Sequence, residues 1–162
     1  MTGRSAVLGA VLALALFGRS APAAARREAP AACSINETRD DRVAAAMGER
    51  PYAFAGYDTL CRFLKERGLS VDLAGDSGVL SGRSYGWVYV RLVDRTTRIA
   101  SYGSSFTTVL NAEASTPKAE EAMRQALNGA MATLASNPQF RAQLVEQIAT
   151  ETARLRRVLA KP

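Results

Sequence analysis

The sequence feature that most constrains the fold is the stretch from Tyr85 to Leu110, which opens with aromatic residues at every second position, Tyr85, Trp87 and Tyr89, and with Val88 and Val90 at the alternate positions. Such alternation places successive side chains on opposite faces of a β-strand. It predicts two antiparallel strands, Tyr85 to Val93 and Thr97 to Leu110, joined by a two-residue turn at Arg95-Thr96. Because both faces of this hairpin carry apolar residues, the chain needs at least a second layer to cover one of them.

The two faces of the predicted hairpin differ in chemistry. A turn at Arg95-Thr96 pairs Asp94 with Thr97. In this register Tyr89 faces Tyr102, and Tyr85 faces Phe106. One face then collects five aromatic residues and one arginine: Tyr85, Trp87, Tyr89, Tyr102, Phe106 and Arg91. The other collects aliphatic residues: Val88, Val90, Leu92 and Ile99.

Aromatic residues beside an arginine are typical of protein interfaces, and tyrosine needs a partner for its hydroxyl when it is buried. We therefore expect helices on the aliphatic face and a protein partner, or a second copy of the chain, on the aromatic face. The alternative is that the aromatic face is ordinary core, covered by the last helix of the same chain.

The other elements follow from local patterns. Apolar residues at helical spacing predict a helix over 57–67, and alternation predicts a strand over 69–73 followed by a Gly/Ser loop over 75–82. Thr116-Pro117 is typical of a helix start, with Thr116 as the N-cap, and a C-terminal helix is predicted over 138–160. Together these elements predict an α+β fold: a two-layer sandwich of an antiparallel or mixed sheet of three or four strands with helices on one face, plus the C-terminal helix.

The N-terminus has the three parts of a secretory signal peptide. Arg4 is followed by the apolar segment Ala6–Phe17 and by the small residues Ala21–Ala25. As a helix, the apolar segment would span only about 18 Å, short of the roughly 30 Å of a bilayer core. Residues 1–25 are therefore predicted to be a cleaved signal, leaving 26–162 as one α+β domain in the periplasm or outside the cell, with no transmembrane segment. The Ala/Arg-rich style is typical of a GC-rich bacterium.

The chain contains two cysteines, Cys33 and Cys61. Exported domains with two cysteines usually join them, which predicts a disulfide that closes a loop of 28 residues. The alternative is lipidation of Cys33, as in bacterial lipoproteins. Pro30 and the charged segment Arg26–Glu28 depart from the sequence that such lipidation requires.

The absence of histidine excludes whole classes of enzyme. Ser-His-Asp and Cys-His nucleophiles and histidine-ligated metals all require it. Two serine motifs remain, Gly75-Asp76-Ser77-Gly78 and Ser115-Thr116-Pro117-Lys118. The first lacks a base to accept the serine proton and is better explained as a tight turn, and the second as a helix start. We therefore expect no enzymatic activity, no catalytic residue, no cofactor and no metal site.

A basic segment closes the chain, with Arg154, Arg156, Arg157 and Lys161 in the last nine positions. Such residues could bind an anionic partner, such as lipid headgroups or a glycan. Cations near a helix C-terminus also suit the helix dipole without any partner. We adopt that second interpretation and expect no nucleic-acid binding in an exported protein.

The order of elements resembles a group of small envelope domains. The quoted segments are Leu-Lys-Glu-Arg-Gly-Leu-Ser-Val at 64–71 and Val-Arg-Leu-Val-Asp-Arg-Thr-Thr-Arg-Ile-Ala-Ser at 90–101, followed by an Ala-rich helix. Over roughly residues 33–136 this layout is similar to the N-terminal domain of the Tol-system translocation protein, the penicillin-binding-protein activator lipoproteins and the curli-secretion lipoproteins. The poor lipidation sequence and the two cysteines depart from those families.

The resemblance implies a non-enzymatic exported protein that binds a partner in the bacterial envelope, as an assembly or accessory factor. The alternative function is a periplasmic immunity or inhibitor protein that neutralises a toxin or hydrolase, which the size, the export signal and the cysteine pair fit equally well.

Overall fold

The computed structural model describes residues 33–160, so the predicted signal peptide, 1–25, lies outside it. The elements in chain order are β1 (Glu37–Arg39), α1 (Asp41–Met47), α2 (Tyr57–Glu66), β2 (Leu69–Leu80), β3 (Arg83–Asp94), β4 (Ser105–Asn111), α3 (Thr116–Ser136) and α4 (Pro138–Leu159). The predicted α+β fold with a C-terminal helix is confirmed.

The sheet has four strands in the order β1-β2-β3-β4. Strand β1 runs parallel to β2, with Glu37 opposite Val71. Strands β2, β3 and β4 are antiparallel neighbours. The sheet is therefore mixed and open, and β1 and β4 form its two edges.

The hydrophobic core lies on the aliphatic face of the sheet. Val88, Val90 and Leu92 of β3 are fully buried, as predicted. They share one core cluster with an Ala- and Met-rich side of α3: Met123, Ala126, Leu127, Ala130 and Met131. Ala119 and Ala122 of the same helix are also buried. The small alanine side chains let α3 approach the strands closely, and the Ser105 hydroxyl donates a 2.8 Å hydrogen bond to the carbonyl oxygen of Ala130.

Helix α4 lies on the same side as the other helices. Its buried Arg141 donates a hydrogen bond of 2.6 Å to the carbonyl oxygen of Ala135, at the end of α3. Leu144 packs where a Cβ on Gly103 would stand, and the side chain of Gln147 accepts a hydrogen bond from the Gly103 amide. Because these contacts hold α4 against α3 and the segment before β4, α4 does not cover the aromatic face.

Helix starts follow side-chain capping. The Asp40 carboxylate accepts a 2.7 Å hydrogen bond from the amide of Val43, so Asp40 is the N-cap of α1. Gly68 takes a left-handed conformation after α2, with φ of 64°. The predicted N-cap of α3 is wrong by one residue. Ser115 accepts from the Lys118 amide, which leaves Thr116 as the first helical residue.

The predicted loop over 75–82 is wrong, because β2 continues to Leu80 and pairs with β3 along its whole length. The turn is confined to Ser81 and Gly82, with φ of 50° and 72°. Two consecutive positive φ angles are typical of a type I′ turn, whose twist matches that of the strands it joins. The Gly/Ser-rich composition of 75–82 conceals this strand, because a period-two pattern needs large apolar side chains to be visible.

The predicted turn at Arg95-Thr96 is also wrong, because the connection between β3 and β4 is longer than two residues. The Asp94 carboxylate accepts hydrogen bonds from the amides of Thr96 and Thr97, at 3.0 and 2.6 Å. Arg98 then takes a left-handed conformation, and Val93 and Ala100 form an isolated bridge. This local network uses residues that the sequence assigns to the strand, so β4 begins only at Ser105.

The register of the hairpin differs accordingly. Tyr89 lies opposite Phe106 and Tyr85 opposite Leu110, in place of the predicted partners Tyr102 and Phe106. The shift is four residues. Because side chains alternate with period two, an even shift leaves each side chain of β3 and β4 on its predicted face.

The sulfur atoms of Cys33 and Cys61 lie at disulfide distance, with 6.0 Å between the Cα atoms. Cys61 is buried on the inner side of α2. The pair therefore ties the segment before β1 to α2. A cysteine in a disulfide has no free thiol that could be lipidated. This geometry therefore favours the bridge over lipidation of Cys33.

Candidate functional site: the open face of the sheet

The side of the sheet opposite the helices is called the open face here. Its residues, given by the strand register, are Asp72, Ala74, Asp76, Gly78 and Leu80 of β2, Arg83, Tyr85, Trp87, Tyr89 and Arg91 of β3, and Phe106, Thr108 and Leu110 of β4. Five of the six residues predicted for partner binding lie on it. The structure places the sixth, Tyr102, elsewhere.

Three aromatic rings form the centre of the open face. The centroid of Trp87 lies 6.3 Å from that of Tyr89, with the ring planes nearly parallel, and 6.2 Å from that of Phe106. Trp87 and Tyr89 are half-buried, whereas Phe106 is 61% exposed. Strands β3 and β4 thus hold the rings side by side, with their outer surfaces in solvent.

Charged residues on β2 and β3 border these rings. Arg91 forms an ion pair with Asp72 and lies over the ring of Tyr89, with 5.3 Å from its guanidinium carbon to the ring centroid. Asp76 forms a second ion pair, 2.7 Å long, with Arg42 of α1. The guanidinium of Arg91 is thus held between the Asp72 carboxylate and the Tyr89 ring.

The open face also has a shallow cavity of about 260 Å³ near the β2–β3 turn. It is lined by Leu80, Arg83, Tyr85, Thr108 and Leu110. Leu80 and Leu110 are 69% and 65% exposed. The cavity could hold one apolar side chain of a partner.

The sequence prediction missed Leu80 and Leu110. Leu80 falls in the segment 75–82, whose Gly/Ser-rich composition predicts a loop. Leu110 lies in the predicted strand 97–110, but the predicted register gives it no partner on β3. Continuing the alternation Phe106, Thr108, Leu110 would have found the second of them.

Tyr102 lies apart from the other aromatic residues, in the segment between β3 and β4. It borders a shallow pocket with residues of α4: Gln143, Glu146, Gln147 and Thr150. A hydrogen bond between the Tyr102 hydroxyl and the Glu151 carboxylate raises the pKa of Tyr102 and lowers the pKa of Glu151. Tyr102 is therefore associated with α4 and not with Trp87.

The two serine motifs have structural roles. Asp76 and Ser77 lie within β2 and not in the predicted turn, and the Ser77 amide donates to the Asp76 carboxylate at 2.9 Å. The hydroxyl of Ser115 caps α3, as described above, while the Lys118 ammonium pairs with Glu121 at 3.0 Å. The lysine is thus directed along its own helix and not towards Ser115.

One carboxylate of altered acidity lies at the β1 edge. Burial raises the pKa of Glu37, although the neighbouring Arg39, its ion-pair partner, acts in the opposite direction. Arg39 also lies over the ring of Tyr52, 5.8 Å from its centroid. This cluster attaches the short strand β1 to the segment before α2, away from the open face.

The C-terminal end of α4 carries exposed basic and apolar residues. Arg154, Arg156 and Arg157 are exposed, as are Leu155 and Leu159. Lys161 lies outside the described residues.

Over residues 33–160, no helix is both long and apolar enough to cross a bilayer, and no cluster of acidic or cysteine side chains is suited to hold a metal ion. Comparison with protein-family models, with curated proteins and with solved structures finds no match to this chain.

Proposed function

We propose that this chain is a non-enzymatic exported protein that binds a protein partner in the bacterial envelope through its open face. The observation that carries the proposal is the contact between Trp87, Tyr89 and Phe106 on a sheet face that none of the described helices covers. A two-layer domain builds its core from one face of the sheet. Large aromatic rings exposed on the other face therefore favour burial against a partner.

The composition of the open face favours a protein as that partner. Interface centres are rich in Trp, Tyr and Arg, and Trp87, Tyr89 and Arg91 lie at successive positions of the same face of β3. The cavity beside Tyr85 could bind an apolar side chain of the partner and remove it from water.

Two observations favour an oxidising compartment outside the cytoplasm. The sulfurs of Cys33 and Cys61 lie at disulfide distance, and such pairs are typical of exported proteins. The predicted signal peptide, residues 1–25, agrees with export. The resemblance to Tol-related and activator domains makes an assembly or accessory role our first proposal. An immunity or inhibitor protein is the second candidate, since such proteins also use small disulfide-bonded domains.

Site-specific cross-linking in living cells tests the proposal. A benzophenone amino acid replaces Tyr85, at the edge of the cavity, and in a matched control it replaces the exposed Thr150 of α4. We expect a cross-linked envelope protein from position 85 and not from position 150. A cell-wall synthase or a Tol-like component supports the assembly role, and one secreted toxin or hydrolase supports the second candidate. Cross-links from position 150 alone would contradict the use of the open face.

A further inference from the structure

Within residues 33–160, no strand pairs with the outer side of β4, so one row of its backbone groups has no partner strand there. The amide of Arg95 donates to the carbonyl oxygen of Gly68, which makes Leu69 and Asp94 a pair without direct hydrogen bonds. Because such pairs alternate along antiparallel strands, the odd-numbered residues of β3 bond to β2 and the even-numbered ones to β4. The amide of Ser101 donating to Leu92 agrees with this assignment.

The same alternation fixes the outward groups of β4. Ser105, Thr107 and Val109 lie opposite Val90, Val88 and Gly86, so their amides and carbonyls point at β3. The amides and carbonyls of Phe106, Thr108 and Leu110 therefore point away from the sheet. These three residues also have exposed side chains on the open face.

Strand β4 lacks the usual protection of an exposed edge. Natural edge strands carry lysine, proline or a bulge, or are very short. The sequence of β4, Ser-Phe-Thr-Thr-Val-Leu-Asn, has no charge and no proline, and its register with β3 is continuous. The opposite edge, β1, has only three residues and carries Glu37 and Arg39. The two edges thus differ in their readiness to accept another strand.

We propose that a second copy of this chain pairs with the first through β4, antiparallel, about a two-fold axis at Thr108. In this register Thr108 faces its own copy and Phe106 faces Leu110 of the second copy. All three outward residues then become hydrogen-bonded pairs, and each pair exchanges two N–H···O bonds. The two sheets join into one, and the open faces become continuous.

The strand itself favours a second copy over a foreign peptide. A two-fold interface must be self-complementary, and an uncharged strand brings no like charges together. Phe106 and Leu110 are placed symmetrically about Thr108, so a large ring meets an aliphatic side chain on both sides of the axis. This inference goes beyond the proposed function and does not depend on it, since it uses the backbone of β4 and not the rings of β3.

Charge substitution at the axis tests the register. Thr108→Lys and Thr108→Glu each place a like charge against itself across the axis, so each should weaken self-association by about tenfold or more. An equimolar mixture of the two variants pairs opposite charges, and we expect it to restore the dimer as a heterodimer. Thr38→Lys and Thr38→Glu, at the exposed centre of β1, make the same changes on the other edge and should leave association unchanged.

Sedimentation of the wild-type protein over a wide concentration range provides the readout, with amide hydrogen exchange beside it. We expect the amides of Phe106, Thr108 and Leu110 to become protected as the protein dimerises, and those of Thr107 and Val109 to be protected throughout. A wild-type chain that stays monomeric would overturn the proposal. So would a dimer whose stability the charges at position 108 leave unchanged. Neither result bears on partner binding by Trp87.

Discussion

Gly86 of β3 and Met123 of α3 approach so closely that a Cβ on residue 86 would stand 2.2 Å from the backbone nitrogen of Met123. The carbonyl carbon of Ala122 would lie at 2.5 Å. Helix α3 therefore rests on the backbone of β3 at this point, where no side chain fits between them. This contact sets the spacing between the sheet and α3.

Gly86→Ala should destabilise the protein by about 1 to 3 kcal/mol, because the added methyl group must move a helix backbone and not a flexible side chain. Gly78→Ala, on the open face of β2, is the matched control. The three atoms nearest to its Cβ all belong to the side chain of Tyr85, the closest being the hydroxyl oxygen at 3.1 Å, and this side chain can move aside. Chemical denaturation measures both variants. Equal stability of Gly86→Ala and the wild type would contradict the described packing.

Reduction of the Cys33–Cys61 pair should lower the free energy of unfolding by about 3 to 4 kcal/mol, because the bridge closes a loop of 28 residues in the unfolded chain.

The intact mass of the exported protein should correspond to a chain that begins near Arg26 and lacks about 2 Da relative to two thiols. A diacylglyceryl group on Cys33, or two thiols that alkylate without prior reduction, would refute this expectation.

Asp94 should contribute to stability at neutral pH and lose that contribution in acid. Hydrogen bonds from the turn, led by the amide of Thr97, hold the pKa of Asp94 below its ordinary value. A carboxylate with a lowered folded-state pKa stabilises the fold above its unfolded pKa, and the effect disappears as the pH falls through the folded-state value. NMR titration of Asp94 measures the shift directly.

Substitutions separate the charge of Asp94 from its role as an acceptor. Asp94→Asn keeps an acceptor for Thr97 but should remove the contribution of this residue to acid sensitivity. Asp94→Ala should lose about 0.5 to 1.5 kcal/mol, since the amides of Thr96 and Thr97 lose their partner. A pH profile for Asp94→Asn that parallels the wild type below pH 4 would show that the charge does not matter.

The faces of the sheet were predictable from the sequence, whereas the register was not. Val88 and Trp87 lie on opposite faces as expected, because successive side chains of a strand alternate between faces. A register shift by an even number of residues keeps every side chain on its face. The register depends on the turn, and there the carboxylate of Asp94 and the left-handed Arg98 build a local network that strand periodicity does not encode. Because this network delays the start of β4 to Ser105, Tyr102 precedes the strand and does not lie on the aromatic face.

The second half of β2 was missed for a different physical reason. Gly75 and Gly78 have no side chains to show alternation, and both are common in loops. In the fold, Gly75 lies against β3, since a Cβ there would stand 2.4 Å from the carbonyl oxygen of Trp87 and 2.9 Å from a methyl group of Val88. Gly75 therefore marks close packing and not a turn, and a single sequence does not distinguish the two.

We propose that Trp87 contacts a partner and is not part of the core, and substitution of Trp87 is the sharpest test of this role. Trp87→Ala should leave the melting temperature within a few degrees, about 1 kcal/mol, and should abolish cross-linking of the envelope partner from position 85. The neighbouring Val88→Ala, which removes a fully buried side chain, provides the opposite control and should cost roughly 1.5 to 3 kcal/mol. A Trp87→Ala variant that loses about 3 to 5 kcal/mol, as when a large aromatic leaves a core, would contradict the account.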